Sequence, residues 1–174
     1  MEFKEKTLKS KTIYEGKVVT LLKDDIVTSD GYESIREVVK HSGGVVILAV
    51  KDGKIVMVRQ YRYPAQEVLL ELPAGKLEYG EEPFPAAKRE LEEETGYIAE
   101  KWTDMGFVYT SPGYSDEKLH LYKAENLQFV GCHPDNGEVI EPLEFDKERV
   151  FEMVKTGEIR DAKTLCAILK GKIL

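Results

Sequence analysis

The apolar run from Val45 to Val50 constrains the fold more than any other part of the chain. It follows the glycine pair Gly43-Gly44 and ends in a turn at Asp52-Gly53, which leads into a second apolar segment, KIVMVRQYR. An uninterrupted run of this length is typical of a strand buried on both faces, because a half-exposed strand would alternate apolar and polar residues. The run therefore predicts a central strand, paired in a hairpin and covered above and below.

Flanking segments predict the other elements. A first hairpin is expected between Ile13 and Lys40, with Ser29-Asp30-Gly31 as its turn. A helix is expected from Pro83, which suits a first turn, to Gly96, which suits a left-handed C-cap. A short apolar segment, EVLLELP, ends in a break at Pro73-Ala74-Gly75. The remaining predictions are strands at 99–109 and 118–124, a loop region at 126–142 interrupted by a short strand, and two closing helices capped by Asp146 and Asp161. This irregular alternation favours an α/β fold in which helices cover both sides of a mixed sheet.

Composition excludes several classes of function. The chain has 174 residues, which suit one catalytic domain with small appendages. Its 32 acidic and 25 basic residues give a formal net charge of −7, which argues against binding nucleic acid through its phosphates. The apolar run is too short to span a membrane, the N-terminus lacks the apolar core of a signal peptide, and two cysteines are too few for a disulfide framework or a zinc site. We therefore expect a cytoplasmic protein that binds neither nucleic acid nor a membrane.

The predicted helix carries three glutamates on one side. Glu90, Glu93 and Glu94 are spaced by three and four residues, so they project within an arc of roughly 100°. Carboxylates crowded in this way repel one another and favour a bound cation. Their hard oxygen atoms suit Mg²⁺, for which Mn²⁺ can substitute.

Two further groups complete this arrangement. Arg89 stands four residues before Glu93 and can orient that carboxylate with a forked hydrogen bond. The backbone carbonyl of Ala74, at the break before the helix, can add another oxygen ligand. Together these groups predict a site for diphosphate hydrolysis, in which metal ions neutralise phosphate charge and activate the attacking water.

The same residues form a pattern that resembles the Nudix box. Gly75, five further residues, Glu81, seven further residues and the run Arg89-Glu90-Leu91-Glu92-Glu93-Glu94-Thr95-Gly96-Tyr97 match it, and only Tyr97 departs from the aliphatic residue that the family more often has. The resemblance implies a Nudix-type α/β/α sandwich with a mixed sheet. It also implies that Glu90 and Glu94 are the chief metal ligands, supported by Glu93 and the Ala74 carbonyl. The alternative, a well-capped solvated helix, would not require both glycines, Glu81 and Arg89 in register.

Other segments resemble the ADP-ribose pyrophosphatase branch of that family. The segment from Ser111 to Glu117 is similar to the proline-bearing loop that marks the branch, and the segments 34–39 and 60–62 also match it. The resemblance implies that the substrate is bound by Arg36, Glu37, Arg62, Pro112, Gly113 and Glu117. In that branch the matching arginines meet the adenine and the diphosphate. The alternatives are an ordinary Pro-Gly turn and ordinary surface residues.

The branch also places a catalytic acid on a loop after the later strands. The matching stretch here contains Asp135, Glu138 and Glu141, but Asn136-Gly137 interrupts the denser acidic cluster of the family. We favour Glu138 as the base that takes the proton of the attacking water, with Glu141 and Asp135 as alternatives. Arg89 and Glu93 are expected to support catalysis from the helix.

The resemblance further implies a division of labour along the chain. Residues 1–42 would form an N-terminal β-hairpin region that contributes to a homodimer, and residues 43–174 the Nudix hydrolase domain. The expected reaction is attack of water on a phosphorus of ADP-ribose, or a related nucleoside diphosphate sugar, giving AMP and ribose 5-phosphate. The alternatives are a Nudix hydrolase for a dinucleoside polyphosphate or NADH, and a nucleotide-sensing Nudix module without activity. Such modules usually lose box carboxylates, whereas this chain keeps every one.

Overall fold

The structure is a computed structural model that describes residues 3–132, 137 and 139–172. The chain forms two compact units. The N-terminal unit comprises Met1–Gly43 and Tyr109–Lys118, and the second unit comprises Gly44–Val108 and Leu119–Leu174. Within the described residues, no helix is both long and apolar enough to cross a membrane.

The N-terminal unit is built on an antiparallel sheet of three strands, β1 (Glu5–Glu15), β2 (Val19–Thr28) and β3 (Glu33–His41), in the order β1-β2-β3. Strands β2 and β3 form the predicted hairpin around Gly31, whose φ of 87° is one that glycine adopts readily. Strand β1 was not predicted. Each of its residues is exposed, so it has no buried face to leave an apolar period in the sequence.

The segment Tyr109–Lys118 also belongs to the N-terminal unit. Between Ser111 and Glu117 it runs beside β3, where the Val39 N–H donates to the Tyr114 carbonyl at 2.7 Å and the Asp116 N–H donates to the Val39 carbonyl at 3.2 Å. The Asp116 carboxylate accepts from the His41 N–H at 3.0 Å. The proline-bearing loop is therefore attached to the strand that carries Arg36 and Glu37.

The second unit contains a sheet of seven strands. Its strands are β4 (Gly44–Lys51), β5 (Lys54–Arg62), β6 (Glu67–Glu71), β7 (Ala74–Lys76), β8 (Tyr97–Tyr109), β9 (Lys118–Phe129) and β10 (Ile140–Asp146). The main order is β10-β5-β4-β9-β8, with β6 paired to β5 and β7 paired to β4. Strands β4 and β9 are parallel, whereas β4 is antiparallel to β5 and β7. The predicted mixed sheet is confirmed.

Helices cover this sheet on both faces. They are α1 (Pro83–Thr95), α2 (Lys147–Thr156) and α3 (Ala162–Lys170). Along β4, Val45, Ile47 and Ala49 pack in one apolar cluster with α1, whereas Val46 and Leu48 pack in another with α2 and α3. Because alternate residues of a strand point to opposite faces, this division confirms both the strand buried on two sides and the α/β/α sandwich.

Several predicted boundaries need correction. Strand β9 continues to Phe129, so the loop region predicted from residue 126 starts later. The break at Pro73 is present, but Ala74 and Gly75 do not end the strand structure, since they resume it as β7 against β4. Asp161 caps α3 through its side chain, which accepts from the Thr164 N–H, whereas Asp146 precedes α2 without such a bond.

Candidate functional site

Helix α1 begins and ends where its sequence predicts. Pro83 lies in its first turn, and Gly96 closes it in the left-handed conformation with φ 72°, donating its N–H to the Glu92 carbonyl at 2.8 Å. Ala87 and Leu91 are fully buried against the sheet. This packing fixes the rotation of the helix and therefore the direction in which its glutamates project.

Arg89 is the centre of the charge arrangement on this helix. Its guanidinium donates to Glu81 twice at 3.0 Å, to Glu90 at 2.8 Å and to Glu93 at 2.8 Å. The contact with Glu93 is the one that the spacing predicts, whereas the role of Glu81 as a partner was not foreseen. The hydrogen bond from Arg89 lowers the pKa of the Glu81 carboxyl, and the surrounding carboxylates raise the pKa of Arg89. One cation thus offsets part of the repulsion among three carboxylates.

The carboxylates of Glu94 and Glu90 lie against strand β7. Glu94 is 4% exposed, and its Oε2 accepts from the Ala74 N–H at 3.0 Å. A β-carbon on Gly75 would overlap the carboxyl carbon and both oxygens of Glu90. Any side chain at position 75 would therefore force the Glu90 carboxylate to move, whereas glycine leaves its space open.

The register of β7 explains how Ala74 faces these acids. The Ile47 N–H donates to the Pro73 carbonyl at 2.8 Å, so residues 47 and 73 form a hydrogen-bonded pair. Such pairs alternate in an antiparallel ladder, so the next pair, Val46 and Ala74, is not hydrogen-bonded across the strands. Both backbone polar groups of Ala74 therefore point away from β4, and the N–H already meets Glu94.

The chemistry of this cluster fits a hard divalent cation. Carboxylate and carbonyl oxygens are the ligands that Mg²⁺ prefers, and the Glu90 carboxylate lies in a space that only glycine leaves open. No three Asp, Glu, His or Cys side chains are already gathered as a metal site among residues 3–132, 137 and 139–172. Instead, Arg89 pairs with Glu90 and Glu93, and the Ala74 N–H pairs with Glu94.

Arg62 lies at the end of β5 and forms an ion pair with Glu71 that the sequence does not predict. Its Nε and Nη2 donate to the two oxygens of Glu71 at 2.8 and 2.6 Å, and the Glu71 carboxylate also accepts from Lys163. Glu71 is 1% exposed. Burial raises the pKa of Glu71, but Arg62 and Lys163 outweigh it, so the pKa lies below its ordinary value. The sequence offers only a weak indication of this pairing, a glutamate flanked by leucines in the segment EVLLELP.

The other expected substrate residues belong to the N-terminal unit. Arg36 forms an ion pair with Glu5 of β1, and Glu37 lies opposite Lys23 of β2. Glu117 accepts from the Thr110 hydroxyl at 2.7 Å, in the same segment as Pro112 and Gly113. The structure therefore brings these five residues into one unit.

Of the three candidate general bases, the structure describes only Glu141. Glu138 and Asp135 lie outside the described residues. Glu141 lies in β10 opposite Arg59, whose Nε donates to it at 2.8 Å. On β5, Val56 packs toward α1 and Met57 toward α2 and α3, so Arg59 and its partner Glu141 share the face away from α1. The structure does not bring Glu141 to the glutamates of α1.

Family models match most of the chain. The model of the Nudix domain matches residues 40–167, and the model described as the nucleoside diphosphate sugar hydrolase N-terminal domain matches residues 5–39. The two matches together cover both sheets.

Individual proteins are similar over almost the whole length. An ADP-ribose pyrophosphatase of Bacillus subtilis is 47% identical over 94% of this chain and 90% of its own. A methanol dehydrogenase activator of Bacillus methanolicus is 42% identical over 95% of this chain and 91% of its own. A crystal structure of an ADP compounds hydrolase superimposes with a TM-score of 0.86 over 97% of this chain and 92% of that one; at 21% identity it supports the fold alone.

Proposed function

The chain belongs to the Nudix family, and from this premise we propose that it hydrolyses the diphosphate bond of ADP-ribose to AMP and ribose 5-phosphate. It is a Nudix hydrolase of the group that acts on nucleoside diphosphate sugars. The observation that carries the proposal is the position of the Glu90 and Glu94 carboxylates against Ala74 and Gly75. Hydrolysis of a phosphoanhydride needs a cation that offsets the phosphate charge, because that charge repels a nucleophile, and carboxylate oxygens can hold such a cation.

We propose that Glu90 and Glu94, supported by Glu93 and the Ala74 carbonyl, hold Mg²⁺, with Mn²⁺ as a substitute. The bound ion would neutralise phosphate charge and lower the pKa of the attacking water. Arg89 keeps Glu90 and Glu93 oriented through its hydrogen bonds at 2.8 Å. The Ala74 N–H holds Glu94 in the same way. These residues give the donor oxygens fixed positions before substrate arrives.

Water attack also requires a proton acceptor, and we propose Glu138 for this role. Asp135 is the alternative. Glu141 is the weaker one, because its carboxylate is paired with Arg59 on the sheet face away from α1. A general base must come within hydrogen-bond reach of the water that it activates.

We propose substrate-binding roles for six residues. We propose that Arg62 contacts the diphosphate, since an arginine fork suits phosphate oxygens. Arg36, Glu37, Pro112, Gly113 and Glu117 would bind the nucleoside side of the substrate. The attachment of the proline-bearing loop to β3 supports their acting as one group.

We also propose that the protein is a homodimer formed through the N-terminal β-hairpin region, residues 1–42. Strand β1 lies at the edge of its sheet, and apolar side chains such as Leu8, Ile13 and Tyr14 are half exposed. An edge strand presents backbone donors and acceptors to a second strand. Light scattering is expected to give the mass of two chains, and a monomer mass at high concentration would contradict this proposal.

The test of the function is turnover of a substrate panel with Mg²⁺, with products identified by chromatography. ADP-ribose is expected to give the highest kcat/KM, above NADH, a dinucleoside polyphosphate and a GDP-sugar, and EDTA is expected to abolish turnover. A higher kcat/KM for a non-sugar nucleotide would overturn the choice of substrate. Absence of turnover on every member of the panel, with intact nucleotide binding, would indicate a sensing module.

A second candidate function is activation of a dehydrogenase, favoured by the similarity to the methanol dehydrogenase activator. The rate of methanol dehydrogenase should be measured with the wild-type protein and with Glu94→Gln. A rate increase that the substitution removes would support an activator role through the same site. An unchanged rate with the wild-type protein would exclude that role for the dehydrogenase tested.

A further inference from the structure

The carboxylate of Glu71 is a buried charged group to which the proposed reaction assigns no role. It ends β6, is 1% exposed and carries the charge of an ionised acid, because its pKa is lowered by Arg62 and Lys163 against the opposing effect of burial. A buried charge is stable only when it is paired and hydrogen-bonded. Arg62 supplies two of these bonds, at 2.8 and 2.6 Å, and Lys163 supplies another.

The N-terminus of α3 completes the network behind this carboxylate. Lys163 also pairs with Asp161 at 3.0 Å. The Thr164 hydroxyl accepts from the Leu72 N–H at 2.9 Å and donates to Asp161 at 2.6 Å. Thus Glu71 and Leu72 are both held by α3, immediately before the strand that contacts the acids of α1.

The fork determines which edge of the Arg62 guanidinium points away from Glu71. Its Nε and Nη2 are directed to Glu71, so Nη1 lies on the edge of the planar guanidinium that faces away from Glu71. The Arg62 side chain is 36% exposed, whereas that of Glu71 is 1% exposed. After Glu71, the charges of Glu94 and Asp161 also raise the pKa of Arg62, which is consistent with a guanidinium near the acid that contacts Ala74.

We infer that Glu71 is a positioning residue for substrate binding: it turns Arg62 so that the guanidinium edge beyond the Glu71 fork meets the diphosphate of the substrate. This inference rests on the proposed function. Lys163 has a different role, because its positive charge, together with that of Arg62, balances the negative charges of Glu71 and Asp161. With Arg62 and Lys163 against Glu71 and Asp161, the network is neutral overall.

This charge balance allows orientation to be separated from stability. Glu71→Gln leaves one uncompensated positive charge and replaces the carboxylate, whose two oxygens accept from Arg62, with an amide. Both a lower melting temperature and weaker substrate binding are expected. Lys163→Met keeps the fork and leaves one negative charge, so it should lower the melting temperature and change KM less than about threefold. The double variant Glu71→Gln/Lys163→Met is neutral again but still lacks the fork.

The experiment measures kcat and KM for ADP-ribose, the dissociation constant for ADP and the melting temperature of these three variants. Glu71→Gln is expected to raise KM about tenfold with a smaller change in kcat, because contact with a diphosphate present in both ground and transition state is lost. The double variant is expected to recover melting temperature relative to Glu71→Gln while KM stays raised. Arg160→Met is the matched control. It removes an exposed ion pair with Glu67 at 2.7 Å, and these two residues lie close in sequence to Lys163 and Glu71.

Two outcomes would overturn the inference. One is a KM in the double variant that returns to the wild-type value together with the melting temperature, which would mean that Glu71 serves stability alone. The other is an equal rise of KM in Lys163→Met, where the fork is intact. If the wild-type protein cleaves no nucleoside diphosphate sugar, the proposed function fails by itself, and the dissociation constant for ADP still tests whether Glu71 orients Arg62.

Discussion

The carboxylate of Glu90 occupies the space that a side chain on Gly75 would need. The two residues are fifteen positions apart, one in β7 and the other in α1. This close approach gives a structural reason why the glycine and the glutamate of the box occur together.

Gly75→Ala should displace the Glu90 carboxylate and reduce kcat by about 100-fold, because displacements of about 1 Å in a catalytic arrangement have effects of that size. The fold should survive, since the obstructed group is the end of a flexible side chain. Turnover should be measured against Mg²⁺ concentration, with thermal denaturation in parallel. In a Glu90→Ala background the same substitution should have almost no further effect on kcat, and an undiminished second loss would contradict the steric explanation.

Glu94→Gln should lower kcat by about 100-fold or more while the protein remains folded, because several kcal/mol of charge stabilisation depend on the bound ion. The amide oxygen of glutamine can still accept from the Ala74 N–H, so the local structure should persist. Glu92→Gln is the matched control, as Glu92 is exposed on the same helix. Equal kinetics in the two variants would place the metal site elsewhere.

The Glu81–Arg89 pair predicts a pH dependence of stability. Arg89 lowers the pKa of Glu81 below the ordinary value of 4.5, so the pair stabilises the fold fully above that pH and loses its effect as the pH falls through the lowered pKa. Glu81→Gln should therefore reduce the free energy of unfolding by about 1 kcal/mol at pH 7. The difference from wild type should disappear in strong acid. Urea unfolding at several pH values provides the measurement, and a difference that persists at pH 2 would refute this account.

Loss of the Tyr97 hydroxyl is expected to lower stability without changing catalysis. Its hydroxyl donates to Glu144 at 2.7 Å and lies 2.9 Å from Lys51, so Tyr97→Phe should cost about 1–2 kcal/mol of the free energy of unfolding. The proposed reaction assigns no role to the Tyr97 hydroxyl, Lys51 or Glu144, so kcat and KM should remain unchanged. Denaturation and steady-state kinetics on the same preparation check both parts. A large fall in kcat would mean that this position acts on the box and not only on packing.

Much of the second unit follows from local patterns in the sequence. The run from Val45 to Val50 predicts a doubly buried strand, and α1 carries its own boundaries in Pro83 and Gly96. The spacing of Arg89 and Glu93 also predicts their contact. These features depend on neighbours within a few residues, so a single sequence is enough to reveal them.

Other features depend on partners far along the chain. Glu71 meets Lys163 across 92 positions, and nothing near either residue indicates the pairing. Strand β1 is exposed throughout, so its pairing with β2 rests on backbone hydrogen bonds that leave no side-chain pattern. Glu141 stands close to Glu138 in sequence, but strand alternation and Arg59 direct Glu141 to the sheet face away from α1. Sequence spacing alone does not reveal such orientations.

The alternation along β4 has a consequence for how the protein tolerates changes in length. Inserting or deleting one residue within Gly44–Lys51 would exchange the side chains that face α1 with those that face α2 and α3, and it would also shift β7 relative to β4. The same change in the turn at Asp52-Gly53 would alter only a short exposed connection. Length variants of this enzyme should therefore accumulate in that turn and be absent from the strand, a bias that a library of single-residue insertions and deletions can measure directly.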